Sequence, residues 1–136
     1  ADYMSKQSYD ACFVDDTGIG GGVTDRLKQL GFPVVPVNAG CKATNPETYA
    51  NLRAEMYGNL RDWLKTADIP EDSELCEELQ AVEYGFSKKQ QIQLEPKSAM
   101  KSRLGSPDCA DSLALHFAYP VTVINKIQEL HFESEW

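Results

Sequence analysis

One stretch constrains this chain more than any other: ACFVDDTGIGGGVTDRLKQL, at residues 11–30. A short apolar run, residues 11–15, ends in the adjacent carboxylates Asp15 and Asp16. Gly18, Gly20, Gly21 and Gly22 then open backbone torsions closed to other residues, so the turn after the run can be tight. Val23, Leu27 and Leu30 recur at helical spacing, and Gly31 supplies a stop. A second apolar run, FPVVPV at residues 32–37, follows at once. Strand, helix and strand in so short a span form a crossover unit, and such crossovers join parallel strands. The chain is thereby committed to an α/β architecture. It places Asp15 and Asp16 at the carboxyl end of a strand, where folds of this class hold their chemistry. Pro33 and Pro36 make the second strand short or peripheral, because proline cannot donate to a ladder.

The remaining pattern surrounds that unit with helices and a hairpin. Pro46 opens a helix predicted over 46–66, whose stripe of Tyr49, Leu52, Met56, Leu60 and Trp63 faces the sheet. Arg53, Glu55, Arg61 and Lys65 lie mostly off that stripe. Ser73 is the expected cap of a short helix through Leu79. Residues 82–86 and 91–95 alternate polar and apolar around Ser87 to Gln90, the pattern of an antiparallel hairpin with one solvated face. Lys97 to Leu104 reads as a basic helical turn. Ser106 as N-cap and Pro107 at the first helical position start a final helix that Pro120 stops. Its buried stripe is Ala110, Leu113, Ala114, Phe117 and Ala118. Residues 2–9 read as the end of a helix. Residues 1–120 form one domain, and 121–136 a tail with apolar positions at Ile124, Ile127 and Leu130.

Composition removes several functions. A chain of 136 residues, 42% hydrophobic, supports one core. A formal net charge of −8 carries no basic footprint for autonomous nucleic-acid binding. Cys12, Cys41, Cys76 and Cys109 never form CxxC, which leaves zinc-ribbon and redox-motif readings without support. Scattered thiols suit a reducing compartment, and no apolar run approaches the roughly 20 residues of a membrane span. A cytoplasmic location follows as the expectation. The dinucleotide reading is weakened because Val23 stands where G-x-G-x-x-G needs its third glycine, and Asn38, not an acid, follows the second strand. No P-loop motif occurs.

What remains is carboxylate chemistry. Asp108 and Asp111 lie one helical turn apart on one face. Together with the strand-end acid they are hard oxygen ligands, suited to Mg²⁺ or Mn²⁺. Two such ions activate water and stabilise the leaving oxygen in phosphodiester hydrolysis. Lys97, Lys101 and Arg103 are candidate contacts to a phosphate backbone. Each piece also has a plain structural reading: Asp16 as a turn or capping residue, Asp108 as a complement to a helix dipole, the lysines as a solvated face. His116 and His131 have no ligand partners at useful spacing.

Taken in order, FVDDTGIGGGVTDRLKQLG, VVPVNAG, YANLRAEMYGNLRDWL and IQLEPKSAMKSRLGSPDCADSLAL resemble the nuclease domain of tailed-phage terminase large subunits, over about residues 3–119. The resemblance implies a partial ribonuclease H-like fold: a short mixed sheet flanked by helices, with the segment 82–95 as its distinguishing hairpin. It implies a Mg²⁺- or Mn²⁺-dependent endonuclease, holding two metals, that cuts concatemeric double-stranded DNA during genome packaging. Asp15, Asp108 and Asp111 match its catalytic metal ligands. The terminase small subunit and the portal are the partners it implies. The family also carries an upstream ATPase and three earlier strands, the first bearing an aspartate that bridges both metals. With ten residues ahead of Ala11, the expectation is the latter part of a nuclease domain, inactive alone, with an open strand edge that invites a homodimer. The alternative is a catalytically dead prophage remnant that persists as a protein-interaction module.

Overall fold

A computed structural model describes residues 2–6, 9–18 and 20–122 of the chain. The crossover unit forms as the sequence predicts. Strands β1 (Cys12–Asp15) and β2 (Val34–Val37) run parallel, Cys12 opposite Val34 and Asp15 opposite Val37. Helix α1 (Gly20–Gln29) connects them. Gly18 takes φ +78° in the turn, a conformation that needs glycine. The amide of Asp16 donates to the Val37 carbonyl (2.9 Å), extending the ladder past the strand end. Its carboxylate accepts the Thr24 hydroxyl (3.1 Å) and so ties the turn to α1. Asp16 is therefore a turn residue.

The face that α1 buries differs from the expected stripe. Thr24 is buried, whereas Val23 and Leu30 are 53% and 45% exposed. The hydrogen bond between Thr24 and Asp16 sets the phase of this helix, and apolar spacing does not. Of the expected stripe, Leu27 alone turns partly inward.

The expected mixed sheet is replaced, among the described residues, by two separate pairs of strands. The second is the hairpin of β3 (Tyr84–Phe86) and β4 (Ile92–Leu94), antiparallel with Tyr84 opposite Leu94. Its backbone groups are used elsewhere. Ile92 donates to the Thr48 carbonyl (2.7 Å) and accepts from the Ala50 amide (2.9 Å). A turn at 46–48, closed by the Tyr49 amide on the Asn45 carbonyl (3.0 Å), and this pairing around Tyr49 hold the preceding residues out of the helix, so α2 runs Leu52–Trp63 and does not begin at Pro46. Asn51 caps it, accepting from the Ala54 amide (3.0 Å).

Helices α3 (Ser73–Ala81), α4 (Lys97–Leu104) and α5 (Asp108–Leu115) are the remaining helices among the described residues. Asp72 caps α3 through the Leu75 amide (3.0 Å), displacing Ser73 from that role. Ser106 does not cap α5. Its hydroxyl donates to Asp108, and the buried Glu78 of α3 reaches across to accept from the Ala110 amide (2.7 Å). Past Leu115 the chain tightens, with the Phe117 amide on the Ala114 carbonyl (3.0 Å) and Ala118 on Leu115 (3.1 Å). Met4–Lys6 form a 3-10 turn where the end of a helix was expected over 2–9, of which residues 7 and 8 lie outside the described residues. The apolar tail positions lie outside the described residues. No helix among the described residues is long and apolar enough to cross a membrane.

One core joins β2, α2 and α5. Val37, Leu52, Met56, Leu60, Ala110 and Ala114 pack together there, the largest of them almost fully enclosed. Each large apolar side chain so buried contributes about 1.5–3 kcal/mol. This packing lays α5 beside the end of β1, and it brings the two groups of acids together.

Candidate functional site

Asp15 closes β1, and its Oδ1 accepts the amide of Thr17 (2.9 Å), which orients the carboxylate at the strand mouth. Asp108 and Asp111 project from the first turn of α5. Lys97 opens α4, and Arg53 and Met56 come from α2. All of these line one cleft of about 190 Å³. The acids chosen from opposite ends of the sequence thus share a wall.

Asp111 has the most side-chain partners of the three. Its Oδ1 accepts the Tyr57 hydroxyl (2.7 Å) and lies 3.5 Å from Arg53 Nη2. Its Oδ2 pairs with Lys97 Nζ at 2.9 Å. Burial pushes this carboxyl upward, yet hydrogen bonds from Tyr57 and Lys97 and the charges of Lys97 and Arg53 outweigh it. The net effect holds Asp111 below the usual carboxylate range. Tyr57 moves the other way, driven far above the ordinary phenol value by burial first and then by the hydrogen bond and charge of Asp111. The two shifts agree: Tyr57 donates and Asp111 stays ionised.

Asp108 is exposed and accepts from Ser106. The three aspartates are hard donors facing one space, but they are not closed into a tight set. Among the described residues, the ligand atoms lying within 4.8 Å of one another belong to Glu74, Glu78 and Cys109. That second cluster serves the fold. Glu78 is committed to the Ala110 amide, and the Cys109 thiol is pushed up by burial and by the charges of Glu78 and Glu74, which disfavours the thiolate a metal needs.

The basic residues divide. Lys97 lies in the cleft, Lys101 is exposed on α4 and does not line it, and Arg103 is engaged elsewhere. Arg103 pairs with Glu83 (2.7 Å) and Glu95 and donates to the Ala81 carbonyl (2.9 Å), clamping α4 to the hairpin and to the end of α3. His116 is exposed, its ring nitrogen 3.2 Å from the Ser112 carbonyl, and His131 lies outside the described residues.

Arg53 and Tyr57 were missed from sequence. Their i, i+4 spacing places them on one helix face, but nothing local distinguishes Arg53 from a solvated cation. It is buried, as is Glu55, which receives the amides of Thr44 (2.6 Å) and Asn45 (3.1 Å). A larger cavity of about 280 Å³ lies between α2, α3 and the hairpin. Its lining, Leu60, Leu79, Val82, Ile92 and Leu94 among others, brings no carboxylates together. The three aspartates line the smaller cleft instead.

Solved structures share this fold. The nuclease domain of the large terminase subunit gp2 of bacterial virus Sf6, as a lysine-to-alanine mutant with manganese and beta-thujaplicinol, superposes with a TM-score of 0.74. That match is 20% identical and covers 88% of this chain and 70% of that one. The gp2 nuclease domain without that mutation gives 0.67 at 21% identity, over 88% and 70%. A mutant gp2c with calcium gives 0.69 at 21% identity, over 88% and 69%. No family model and no curated protein matches the chain. The likeness establishes the fold: an α/β arrangement, with five α-helices and small sheets among the described residues, that resembles the ribonuclease H-like nuclease domain of a terminase.

Proposed function

We propose that this chain is nuclease-domain sequence of a phage terminase large subunit, and that its cleft is the site of a metal-dependent DNA endonuclease. One observation carries the reading: Asp15 from the end of β1 and Asp108 and Asp111 from α5 line a single cleft, in a fold shared with gp2. The donor set fits Mg²⁺ or Mn²⁺, since it is made of carboxylate oxygens with no thiolate or imidazole. Asp15, Asp108 and Asp111 would hold the ions. Divalent ions there supply an activated water and stabilise the leaving oxygen of a phosphodiester.

The chain's own groups do the rest. The Thr17 backbone amide orients Asp15, and the Tyr57 hydroxyl holds Asp111 ionised. Lys97 places a positive charge beside the acids, where a phosphate group would lie against it. The net charge of −8 makes tight DNA binding by this chain alone unfavourable, so capture of concatemeric DNA falls to the larger packaging assembly, with small subunit and portal as its proposed members.

The second reading, a catalytically dead remnant kept as a protein-interaction module, is favoured by one feature: Lys97 already compensates Asp111. Calorimetric titration with Mn²⁺ beside a plasmid-nicking assay separates the two. Binding that disappears in Asp15→Ala and in Asp111→Ala supports the nuclease reading. Undetectable binding to the wild-type chain at millimolar Mn²⁺ supports the remnant. With Asp111 tied to Lys97 and the acids not drawn together, slow or absent cleavage by the 136-residue chain alone is expected.

A further inference from the structure

Asp111 presents its two oxygens to two different environments. Oδ1 faces the buried side, where the Tyr57 hydroxyl donates to it at 2.7 Å and Arg53 Nη2 lies at 3.5 Å. Oδ2 faces the cleft and meets Lys97 at 2.9 Å. The cations on the two sides differ in kind: the Arg53 side chain is 10% exposed and that of Lys97 is 48% exposed.

Arg53 and Tyr57 brace each other one turn apart on α2, the guanidinium carbon 5.4 Å from the ring centroid. Arg53 Nη1 also donates to the Glu95 carbonyl (3.3 Å), yet its Nε and Nη2 are buried without a hydrogen-bond partner. A guanidinium left so incompletely satisfied is costly. Its ion pair with Oδ1 of Asp111 is the compensation the structure provides. The terminal torsion of an aspartate is otherwise soft and nearly two-fold, so the carboxylate plane turns easily unless one oxygen is pinned.

We propose that Tyr57 and Arg53 are positioning residues, pinning Oδ1 of Asp111 from the buried side and so presenting Oδ2 to the cleft as the oxygen that takes a cation. In this structure that cation is Lys97. Under the reading above, on which the last step alone rests, it is a divalent metal ion.

The test uses the isotopically labelled full chain as wild type, Tyr57→Phe and Asp111→Asn, followed by NMR. Without metal, the Asp111 carboxyl carbon and the Lys97 ammonium nitrogen report the pair directly. Tyr57→Phe keeps the ring and removes the donor, so the amide spectrum away from the cleft stays as in wild type. The Lys97 signal is expected to move toward its position in Asp111→Asn, and the Asp111 carbon to leave its wild-type value. Titration with Mg²⁺ is then expected to show affinity reduced by about 10- to 100-fold, the usual cost of losing a residue that orients a ligand. Wild-type signals retained in Tyr57→Phe overturn the positioning role, whatever the metal does. Moved signals with Mg²⁺ affinity unchanged overturn the link to the cation site. Moved signals in a wild-type chain that binds no Mg²⁺ leave the positioning role standing and sink the metal-site reading instead. Arg53→Lys, which keeps the charge and loses the planar fork, gives the same readouts if Tyr57→Phe does not fold.

Discussion

Replacing Gly58 by alanine sets two effects of opposite sign against each other. Inside a helix, Gly→Ala is worth about 1 kcal/mol of stabilisation from propensity. Gly58 is interior to α2, but a Cβ there would meet the Tyr49 ring, at 2.6 Å from Cε1, 2.7 Å from Cζ and closer still to the hydroxyl oxygen. These distances are shorter than real contacts allow, so something must shift. Tyr49 has little room to move: it is 8% exposed, and the backbone on both sides of it is bonded to Ile92. Overpacking of this kind costs about 1–3 kcal/mol. Two ring atoms and the hydroxyl oxygen of one restrained side chain argue for the upper part of that range, which leaves Gly58→Ala destabilising by about 1–2 kcal/mol after the propensity gain. Urea unfolding reads this as a lower midpoint with an unchanged slope. Gly22→Ala is the control, since nothing lies within 4 Å of a Cβ at that position of α1 and the propensity gain stands unopposed. In a Tyr49→Ala background the Gly58→Ala penalty should vanish, giving a coupling above about 1 kcal/mol. A Gly58→Ala protein as stable as wild type, with no coupling to Tyr49, would refute the close approach of that ring to α2.

Asp111 makes stability depend on pH in a defined direction. Its folded pKa lies below the unfolded one, near 3.9, so its contribution is present above that value and is lost as pH falls through the folded pKa. Asp111→Asn should therefore flatten the acid limb of a stability–pH curve below about pH 4, and an unchanged limb counts against the ion pairs. Glu78→Ala leaves the buried Ala110 amide unpaired, at a cost of about 1–3 kcal/mol, whereas Glu78→Gln retains an acceptor and should recover most of the loss in thermal melts. Among the described residues β1 pairs with β2 alone, and we propose that its other edge takes a second copy of the chain. Sedimentation should then show a concentration-dependent dimer, and a monomer at every concentration removes that idea.

Local chemistry in the chain determined the parts whose signals are local. The crossover that makes β1 and β2 parallel, the turn at Gly18 and the presence of the hairpin were legible, whereas Gly20 to Gly22 begin α1, and Tyr84 and Phe86 stay exposed on β3 where alternation predicts an inward face. Asp15, Asp108 and Asp111 stood out as candidates by residue type and spacing. Tertiary structure decided whatever depends on a partner distant in sequence. The residues before α2 stay out of the helix because Ile92 takes the backbone around Tyr49, and α1 buries Thr24 because Asp16 accepts its hydroxyl. The cap of α5 comes from Glu78 and not from its neighbour Ser106. Lys97 and Arg103, alike in the sequence, part company because one meets Asp111 and the other meets Glu83 and Glu95. Periodicity records which face of an element is apolar, and it carries no record of which polar group on another element will reach that face. The same reason hid Arg53 and Tyr57, whose importance rests on α5 packing against α2 and setting Asp111 between them and the cleft.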